Sequence, residues 1–423
     1  MFEWSETDEM IRESVRAFID KEVRPHLDEL EHGDLPPYDI MRKLFADFGI
    51  AAMAGEAVDK MLAAQQAEAD RIAAGEPVPE KKPGDKKKTA GNSLAAQGSM
   101  AAVLISELTG VTLGSVAAVG VSLGLGAATI ATRGTPAQQQ RWLKDIVTLE
   151  KVAAWAITEP DSGSDAFGGM KTYVRRVGED YILNGQKTFI TNGPYADTVV
   201  VYAKLDEGDG AGKRERKVLT FVLDKGMEGF TQGKPFQKMG MHSSPTGELF
   251  FDNVRLSKDR LLGETEDHKG GDGRESARSS FIVERVGCAI LSLGIINECR
   301  RLCIDYAKSR TLWGQEIGRF QLIQLKLAEM EVARLNVENM VFNALESFAA
   351  GKLPTLAQAS AMKLYSTRAA TDVAMEAVQL FGGNGYMAEY RVEQLARDAK
   401  SLMIYAGSNE IQVTHVANGL LAQ

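Results

Sequence analysis

The 423-residue sequence contains only three cysteines and five histidines. Cys288, Cys299 and Cys303 lie in one segment without a CxxC pair, so neither a disulfide framework nor a zinc finger is indicated. We therefore expect these thiols to pack in a core within a reducing compartment, and we predict no metal site.

The sequence also lacks an excess of positive charge, with 49 basic and 57 acidic residues and a net charge of −8. This balance argues against a general electrostatic affinity for nucleic acid or anionic lipid. The N-terminus, MFEWSETDEM, does not have the basic-then-apolar order of a signal peptide, so we expect a cytoplasmic protein. Residues 111–131 carry no charge but consist mostly of small residues, which predicts a buried helix with a break near its glycines rather than a membrane span.

The hydropathy pattern divides the chain into three regions. Residues 1–151 are predicted to form a helical domain, in which an alanine-rich, charged stretch at about 56–92 is expected to be an exposed, mobile insertion. Residues 152–262 have the pattern of a β domain, and residues 263–423 have the pattern of a helical bundle with an apolar run at 286–296. Within the β domain, Asn184-Gly185 between two apolar runs predicts a hairpin turn.

Three segments contain residues suited to chemistry. AITEPDSGSD at 156–165 offers small hydroxyl residues and backbone amides to a flat ring or a pyrophosphate, or it is a polar loop that caps a hairpin. QLFGGNGY at 379–386 allows close approach of a phosphate, or it is a sharp turn between helices. RTLWG at 310–314 supplies a permanent cation and an aromatic face, or it is an exposed helix end.

Taken in this order, the segments resemble the signature regions of the acyl-CoA dehydrogenase family. The similarity covers AITEPDSGSDAFG at 156–168 and QLFGGNGYMAEYRVEQLARD at 379–398, with KTFITNG, MGMHSSPT and FDNVRL between them. It implies an α+β multidomain fold with an N-terminal α-helical domain, a middle antiparallel β domain and a C-terminal four-helix bundle. It also implies an FAD-dependent enzyme, usually a homotetramer, that oxidises acyl-CoA to 2-enoyl-CoA and passes electrons to electron-transferring flavoprotein.

The resemblance assigns cofactor-binding residues in two groups. The isoalloxazine side of FAD would contact Trp155, Ile157, Thr158, Gly163, Ser164, Phe189 and Thr191. The ribityl, pyrophosphate and adenine portions would contact, in part from a neighbouring subunit, Arg310, Trp313, Gln321, Gln379, Gly382, Gly383, Ser408 and Glu410.

The catalytic base is where this sequence departs from most of the family. Many members carry a glutamate after Ile-Tyr in the late loop, but here the string is Ile404-Tyr405-Ala406. The isovaleryl and long-chain types supply the glutamate from the helix after the β domain, immediately before an arginine, and this chain has Glu284-Arg285 there. We therefore predict that Glu284 removes the α proton, although a Glu-Arg pair on a helix is usually surface charge.

Other positions follow the family only in part. Ala406 keeps the backbone N–H that polarises the thioester carbonyl in the family, and the resemblance implies substrate contacts from Ser164, Arg285, Tyr405 and Gly407. Three further departures are Ile282, His242 and Gln394, each at a position where the family usually has a polar or basic residue. The sequence leaves open an acyl-CoA oxidase or a desulfinase-type flavoenzyme on the same fold, and a catalytically silent partner subunit. The acyl group is also left open.

Overall fold

The structure, a computed structural model, describes residues 4–75, 87–208, 210, 212, 214–268 and 271–422. The described chain is helical up to residue 147, forms strands between residues 153 and 256, and is helical again from residue 273. The predicted order of a helical region, a β domain and a helical bundle is therefore confirmed.

The described part of the N-terminal region contains seven α-helices. Two of them begin with capping boxes, in which Ser5 and Thr135 each accept a hydrogen bond from the backbone three residues later. The helices are α1 Glu6–Phe18, α2 Leu27–His32, α3 Tyr38–Asp47, α4 Ile50–Ala73, α5 Lys87–Gly120, α6 Ala128–Arg133 and α7 Pro136–Val147. A π-helical segment, Val121–Ala127, joins α5 to α6 with helical backbone on both sides. The break that was predicted near the glycines corresponds to a kink in α5 at Thr112, which has φ of −149° and ψ of 81° and lies two residues before Gly114.

The prediction of an exposed insertion from about residue 56 is wrong for the first part of that range. Residues 56–73 belong to α4, in which Val58 is buried and Met61 and Leu62 pack against the core beneath α7. The alanines and charges alternate at helical spacing here, so this stretch packs one face instead of extending into solvent. Residues 66–75 are exposed, residues 76–86 lie outside the described residues, and residues 87–92 belong to α5.

Two helical stretches are long and apolar enough to cross a membrane by length and composition alone. They are Gly98–Arg133 and Gly273–Ser309, and about 60% of the apolar window of each is buried inside the protein (61% and 59%). Core helices of soluble proteins have the same property, so this criterion is weak evidence for a membrane span.

The β domain contains one seven-stranded sheet. Its strands are β1 Ala153–Ala156, β2 Tyr173–Val177, β3 Asp180–Thr191, β4 Thr198–Leu205, β5 Val218–Asp224, β6 Phe230–Gln232 and β7 Thr246–Leu256. The order is β1-β4-β2-β3-β7-β6, with β5 also paired to β4. The sheet is mixed and not purely antiparallel as expected, because β1 and β2 both run parallel to β4.

The predicted hairpin turn at Asn184-Gly185 is wrong. β3 continues through these residues, and the chain reverses instead at Gly178-Glu179, where Val177 pairs with Asp180. Gly185 lies at a register shift against β7, and a Cβ there would lie 2.6 Å from Thr172 Oγ1. Asn184-Gly185 therefore forms a β-bulge at which the backbone lies close to Thr172. Asn-Gly occurs at such bulges as well as in hairpin turns.

The C-terminal region begins with α8, Gly273–Ser309, a helix of 37 residues capped by Asp272. A short two-stranded ribbon follows, β8 Thr311–Leu312 with β9 Gln315–Glu316. The remaining helices are α9 Gln321–Ala349, α10 Leu356–Phe381, α11 Val392–Leu402 and α12 Asn409–Leu421. Cys288, Cys299 and Cys303 are buried and free in this bundle, as predicted.

Candidate active site between the β domain and the helical bundle

The predicted base lies in the first third of α8. Glu284 is partly exposed as a residue, but its carboxyl group is enclosed by protein. Burial raises the pKa of Glu284 to about 7, although the charges of Arg285 and Lys363 act to lower it. Among the described residues, none donates a hydrogen bond to this carboxylate, so it remains available as a proton acceptor.

Arg285, the next residue, is buried with 3% of its surface exposed. Its Nη1 donates to Ser360 Oγ on α10 at 3.0 Å, and its guanidinium lies 5.7 Å from the centroid of Phe281. Its Nε has no acceptor within the described chain. Burial lowers the pKa of Arg285, against the attraction of Glu284. Arg285 therefore keeps its Nε–H as a hydrogen-bond donor for a ligand.

The loop between α11 and α12 faces this part of α8. A Cβ on Gly407 would lie 3.7 Å from Arg285 Nη2, so the loop and the arginine are in contact. Ala406 has φ of 57° and Gly407 has φ of 78°, two consecutive left-handed residues. The Ala406 N–H donates to no acceptor in the described part of the chain, and the Tyr405 hydroxyl is likewise buried without a partner.

The sequence reasoning missed a lysine beneath this loop. Lys363 on α10 is fully buried, and its Nζ donates to the carbonyl oxygen of Gly407 at 2.8 Å. The signal was available, because Lys363 shares the buried face of α10 with Ala359, Ser366 and Ala370. Lysine is rarely buried, so a lysine among small residues on the buried face of a helix indicates a specific role.

Aromatic side chains join the β domain to the bundle at this point. Trp155 on β1 meets Phe281 edge to face with ring centroids 6.4 Å apart, and it meets Tyr202 at 5.3 Å. Phe281 precedes Arg285 by one helical turn, so it contacts both Trp155 and the guanidinium. This arrangement brings Trp155 to the same junction as Glu284.

A buried ion pair shapes the loop after β1. Lys187 Nζ lies 2.9 Å from both the Ile157 carbonyl oxygen and a Glu159 carboxylate oxygen. Glu159 also accepts from the backbone N–H groups of Lys171 and Thr172. Burial lowers the pKa of Lys187 to about 8, while Lys187 keeps the pKa of Glu159 below its usual value despite burial. The loop at 156–165 is thereby held in one conformation.

The residues expected at the isoalloxazine ring form a surface that fits a flat, partly polar ring. The indole N–H of Trp155 is buried without an acceptor in the described structure. The Thr188 N–H donates to the Thr158 carbonyl at 2.9 Å, which aligns the loop with the end of β3. Phe189 is 67% exposed and has φ of 56°, and Thr191 follows it. Ile157 is buried, and Gly163 and Ser164 are exposed on the same loop.

The second predicted group lies at the other end of the bundle. Arg310 caps the C-terminus of α8, and Ser309 lies 25 residues beyond Glu284, about 38 Å at 1.5 Å per residue. Tyr306 stacks on Phe381 at 4.0 Å, which places the glycine turn beside this end of α8. The group is exposed, with Trp313 at 87%, and comprises Arg310, Trp313, Gln321, Gln379, Gly382 and Gly383.

Ser408 and Glu410 do not lie with that group. Both stand at the N-terminus of α12, next to the Ala406 loop, where Ser408 is the residue preceding the helix. A hydrogen bond from its own backbone N–H and one from the Ser408 side chain lower the pKa of the exposed Glu410. These two residues are therefore on the Glu284 side of the molecule.

Comparison with known proteins agrees with this architecture. Three family models match the chain: the acyl-CoA dehydrogenase N-terminal domain at residues 5–65 and 90–150, the middle domain at 154–254 and the C-terminal domain at 271–421. Residues 66–89 are the part of the N-terminal region that the first of these models leaves unmatched.

Individual relatives show the same similarity along the whole chain. An acyl-CoA dehydrogenase of Bacillus subtilis is 33% identical over 416 residues, which are 97% of each chain. The caffeyl-CoA reductase–Etf complex subunit CarC of Acetobacterium woodii is 32% identical over 424 residues, 99% of each. The solved structure of butyryl-CoA dehydrogenase from Megasphaera elsdenii is 29% identical, with a TM-score of 0.80 and full coverage of both chains. The chain thus belongs to the acyl-CoA dehydrogenase family and is an FAD-dependent oxidoreductase of acyl-CoA thioesters.

Proposed function

We propose that this enzyme removes the α proton of its acyl-CoA substrate with Glu284. The main support is the position of this carboxylate, which is enclosed near Arg285 of α8 and Lys363 of α10 and accepts no hydrogen bond from the described residues. Its pKa of about 7 matches the requirement for a general base near neutral pH. Ala406 stands where many relatives carry the glutamate, so Glu284 supplies the function that Ala406 lacks.

The residues around Glu284 have separate roles in this proposal. The free N–H of Ala406 donates to the thioester carbonyl oxygen, which makes the α proton more acidic. Arg285 orients the CoA portion with its unpaired Nε, assisted by Ser164, Tyr405 and Gly407. When bound, FAD supplies the acceptor for the β-hydrogen as hydride. Trp155 and Phe189 hold the ring against the junction.

We further propose that a second copy of the chain completes each FAD site. The exposed group around Arg310 lies about 38 Å along α8 from Glu284, which is farther than one extended dinucleotide reaches. Arg310 is a permanent cation suited to a diphosphate, and it faces solvent within its own chain. In a homotetramer or dimer, the Arg310 end of one bundle would lie beside the β domain of a neighbouring copy. The two groups of cofactor-binding residues would then contact the same FAD.

The domain limits, the acceptor and the location are proposed on the same basis. The limits 1–151, 152–262 and 263–423 agree with the change from helix to strand at Ala153 and back to helix at Gly273.

Electron-transferring flavoprotein is the proposed acceptor because a full-length relative is named as part of an Etf complex. A cytoplasmic location is proposed because all three cysteines are free and buried.

The proposal is tested by anaerobic mixing of the purified yellow protein with short, branched, long and polycyclic acyl-CoAs. Bleaching of the flavin by one class identifies the acyl group, and Glu284→Gln is expected to slow that bleaching by about 100-fold or more. Glu329→Gln, an exposed glutamate on α9, is the matched control and keeps the normal rate. Normal bleaching by Glu284→Gln would contradict the assignment.

A further inference from the structure

Lys363 is a buried cation without a carboxylate partner in the described structure. Its side chain is fully enclosed, and its Nζ donates only to neutral oxygens, the Gly407 carbonyl at 2.8 Å and Asn409 Oδ1 at 3.1 Å. Burial lowers the pKa of Lys363, and Glu284 and Glu410 oppose this. A buried charge without an ion pair costs several kcal/mol, roughly, so it is retained only where another feature of the protein depends on it.

The oxygens that bind Lys363 belong to the loop of Ala406. Gly407 O also accepts from Gln412 Nε2 at 2.7 Å, and the same amide reaches Ala406 O at 3.2 Å. Asn409 Nδ2 donates to Thr367 Oγ1, one turn after Lys363 on α10. The network therefore fixes two consecutive left-handed residues, of which Ala406 is in a conformation that residues with a Cβ rarely adopt.

The charge of Lys363 is felt at Glu284 as well as in the loop. Lys363 and Arg285 are the two cations that act on Glu284, one from α10 and one from α8, and neither forms a hydrogen bond to it. The other titratable groups on this side are the Cys288 thiol, whose pKa burial raises to about 12, the Tyr405 hydroxyl, whose pKa burial also raises, Glu410, which acts on Lys363, and Asp398, which acts on Tyr405. The charges that act on Glu284 itself are those of Arg285 and Lys363.

We propose that Lys363 is a positioning residue that holds the Ala406 loop in place and provides a fixed positive charge for the negative charge that moves during proton abstraction. This inference rests on the proposed function, in which Glu284 is the base. As the Cα–H bond breaks, the proton passes to Glu284 and the electron pair moves toward the thioester carbonyl. Negative charge thus leaves the carboxylate and develops on the carbonyl oxygen, beside the N–H of Ala406. That pair becomes the Cα–Cβ double bond when the β-hydrogen leaves with its bonding pair as hydride, for which bound FAD would supply the acceptor.

Lys363 exchanges no proton with the substrate in this step. Its charge favours the ionised form of Glu284 before the transfer and the anionic carbonyl oxygen after it, so the protein need not reorganise as the charge moves. Preorganised charge of this kind acts strongly because the surroundings are enclosed. A lysine with only a structural role would hold the loop but would not change the pH at which Glu284 ionises.

The test compares Lys363→Met with Lys363→Arg in the FAD-loaded enzyme. Lys363→Met is expected to lower the limiting rate of anaerobic bleaching by about 100-fold, with a smaller change in the substrate concentration at half-saturation. It is also expected to move the midpoint of the pH–rate curve upward by about one unit. Lys363→Arg keeps the charge and restores the midpoint, and Lys352→Met, at an exposed lysine before α10, changes neither quantity. An unchanged midpoint in folded Lys363→Met overturns the proposal.

A second measurement does not depend on activity. In FAD-free protein, Glu284→Gln is expected to increase the free energy of unfolding, and this increase is expected to grow with pH until Glu284 is fully ionised in the protein that carries it. When Lys363→Met is present in both proteins, the pH at which the increase stops growing is expected to be about one unit higher. If Lys363→Met does not fold, Lys363→Gln keeps a donor for Gly407 O without the charge, and the same shift is expected. Failure of the proposed function appears separately, as normal bleaching in Glu284→Gln with Lys363 intact.

Discussion

Trp155 of the β domain and Phe281 of α8 meet edge to face with ring centroids 6.4 Å apart. Phe281 also lies under the Arg285 guanidinium, so this contact joins the surface expected to hold the flavin to the helix that carries Glu284. In the proposed function, Phe281 therefore contributes to the relative position of the flavin and Glu284.

Replacing this aromatic ring is expected to reduce both stability and rate. Phe281→Ala removes the contacts with Trp155 and Arg285 and is expected to cost about 1–3 kcal/mol, because the ring is only partly buried. The limiting bleaching rate is expected to fall by about 10-fold or more, since small displacements of reacting groups slow catalysis. Urea unfolding and stopped-flow bleaching measure the two effects. Val283→Ala, at an exposed neighbour, is the control, and equal behaviour of the two variants would contradict the role of Phe281.

The raised pKa of Glu284 predicts a pH-dependent effect on stability. The folded-state value of about 7 exceeds the ordinary 4.5, so the contribution of this group is fully present below pH 4.5 and is lost as the pH rises through 7. Glu284→Gln removes the loss. In FAD-free protein, the variant is expected to gain free energy of unfolding over the wild type between pH 5 and pH 8, by up to about 3 kcal/mol.

Urea titrations of both proteins at several pH values measure this gain. Glu329→Gln on the surface of α9 should show a constant difference from the wild type over the same range. A constant difference for Glu284→Gln as well would mean that the carboxyl group ionises freely in the folded protein.

The sequence predicted the element order and the buried cysteines. It did not predict that Asn184-Gly185 would form a bulge, because the same dipeptide favours a turn and only the pairing of β3 with β7 decides between them. It also missed Lys363, whose partners Gly407 and Asn409 are more than 40 residues away in sequence. Contacts of this length depend on how α10 packs against the loop, and local patterns carry no information about that packing.

The left-handed conformation of Ala406 predicts a gain in stability without a loss of function. Ala406→Gly relieves the strain at φ of 57° and is expected to stabilise the protein by about 1 kcal/mol. The backbone N–H remains, so the bleaching rate is expected to stay within about threefold of the wild type. Thermal unfolding and bleaching test this prediction. A large loss of rate would show that the methyl group itself contacts the substrate.

The proposed sharing of FAD sites predicts complementation between two inactive chains. Glu284→Gln lacks the base, and Arg310→Glu is expected to lose FAD because a carboxylate repels the diphosphate. In a mixed dimer, one of the two sites has both wild-type residues, so co-expression is expected to recover bleaching in about half of the sites. Differently tagged chains, purified in tandem, provide the sample. Absence of recovery in verified mixed assemblies would contradict sharing.

The buried ion pair beneath the loop at 156–165 predicts a structural effect. Lys187→Met leaves the Glu159 carboxylate buried without its cation and is expected to cost about 3–5 kcal/mol. The double variant Lys187→Met, Glu159→Gln is expected to recover much of this loss. Chemical unfolding at pH 7 measures both. A loss below about 1 kcal/mol in Lys187→Met would show that water reaches the carboxylate.

The assignment of Glu284 as the base is tested most directly by exchange of the substrate α-hydrogens with deuterium from solvent, followed by NMR in enzyme whose flavin has first been reduced. Under this condition oxidation is blocked and only proton abstraction is observed. The exchange rate of the wild type is expected to increase with pH through about 7, and the rate of Glu284→Gln is expected to be at least about 100-fold lower. Exchange at the wild-type rate in Glu284→Gln would show that another group removes the α proton.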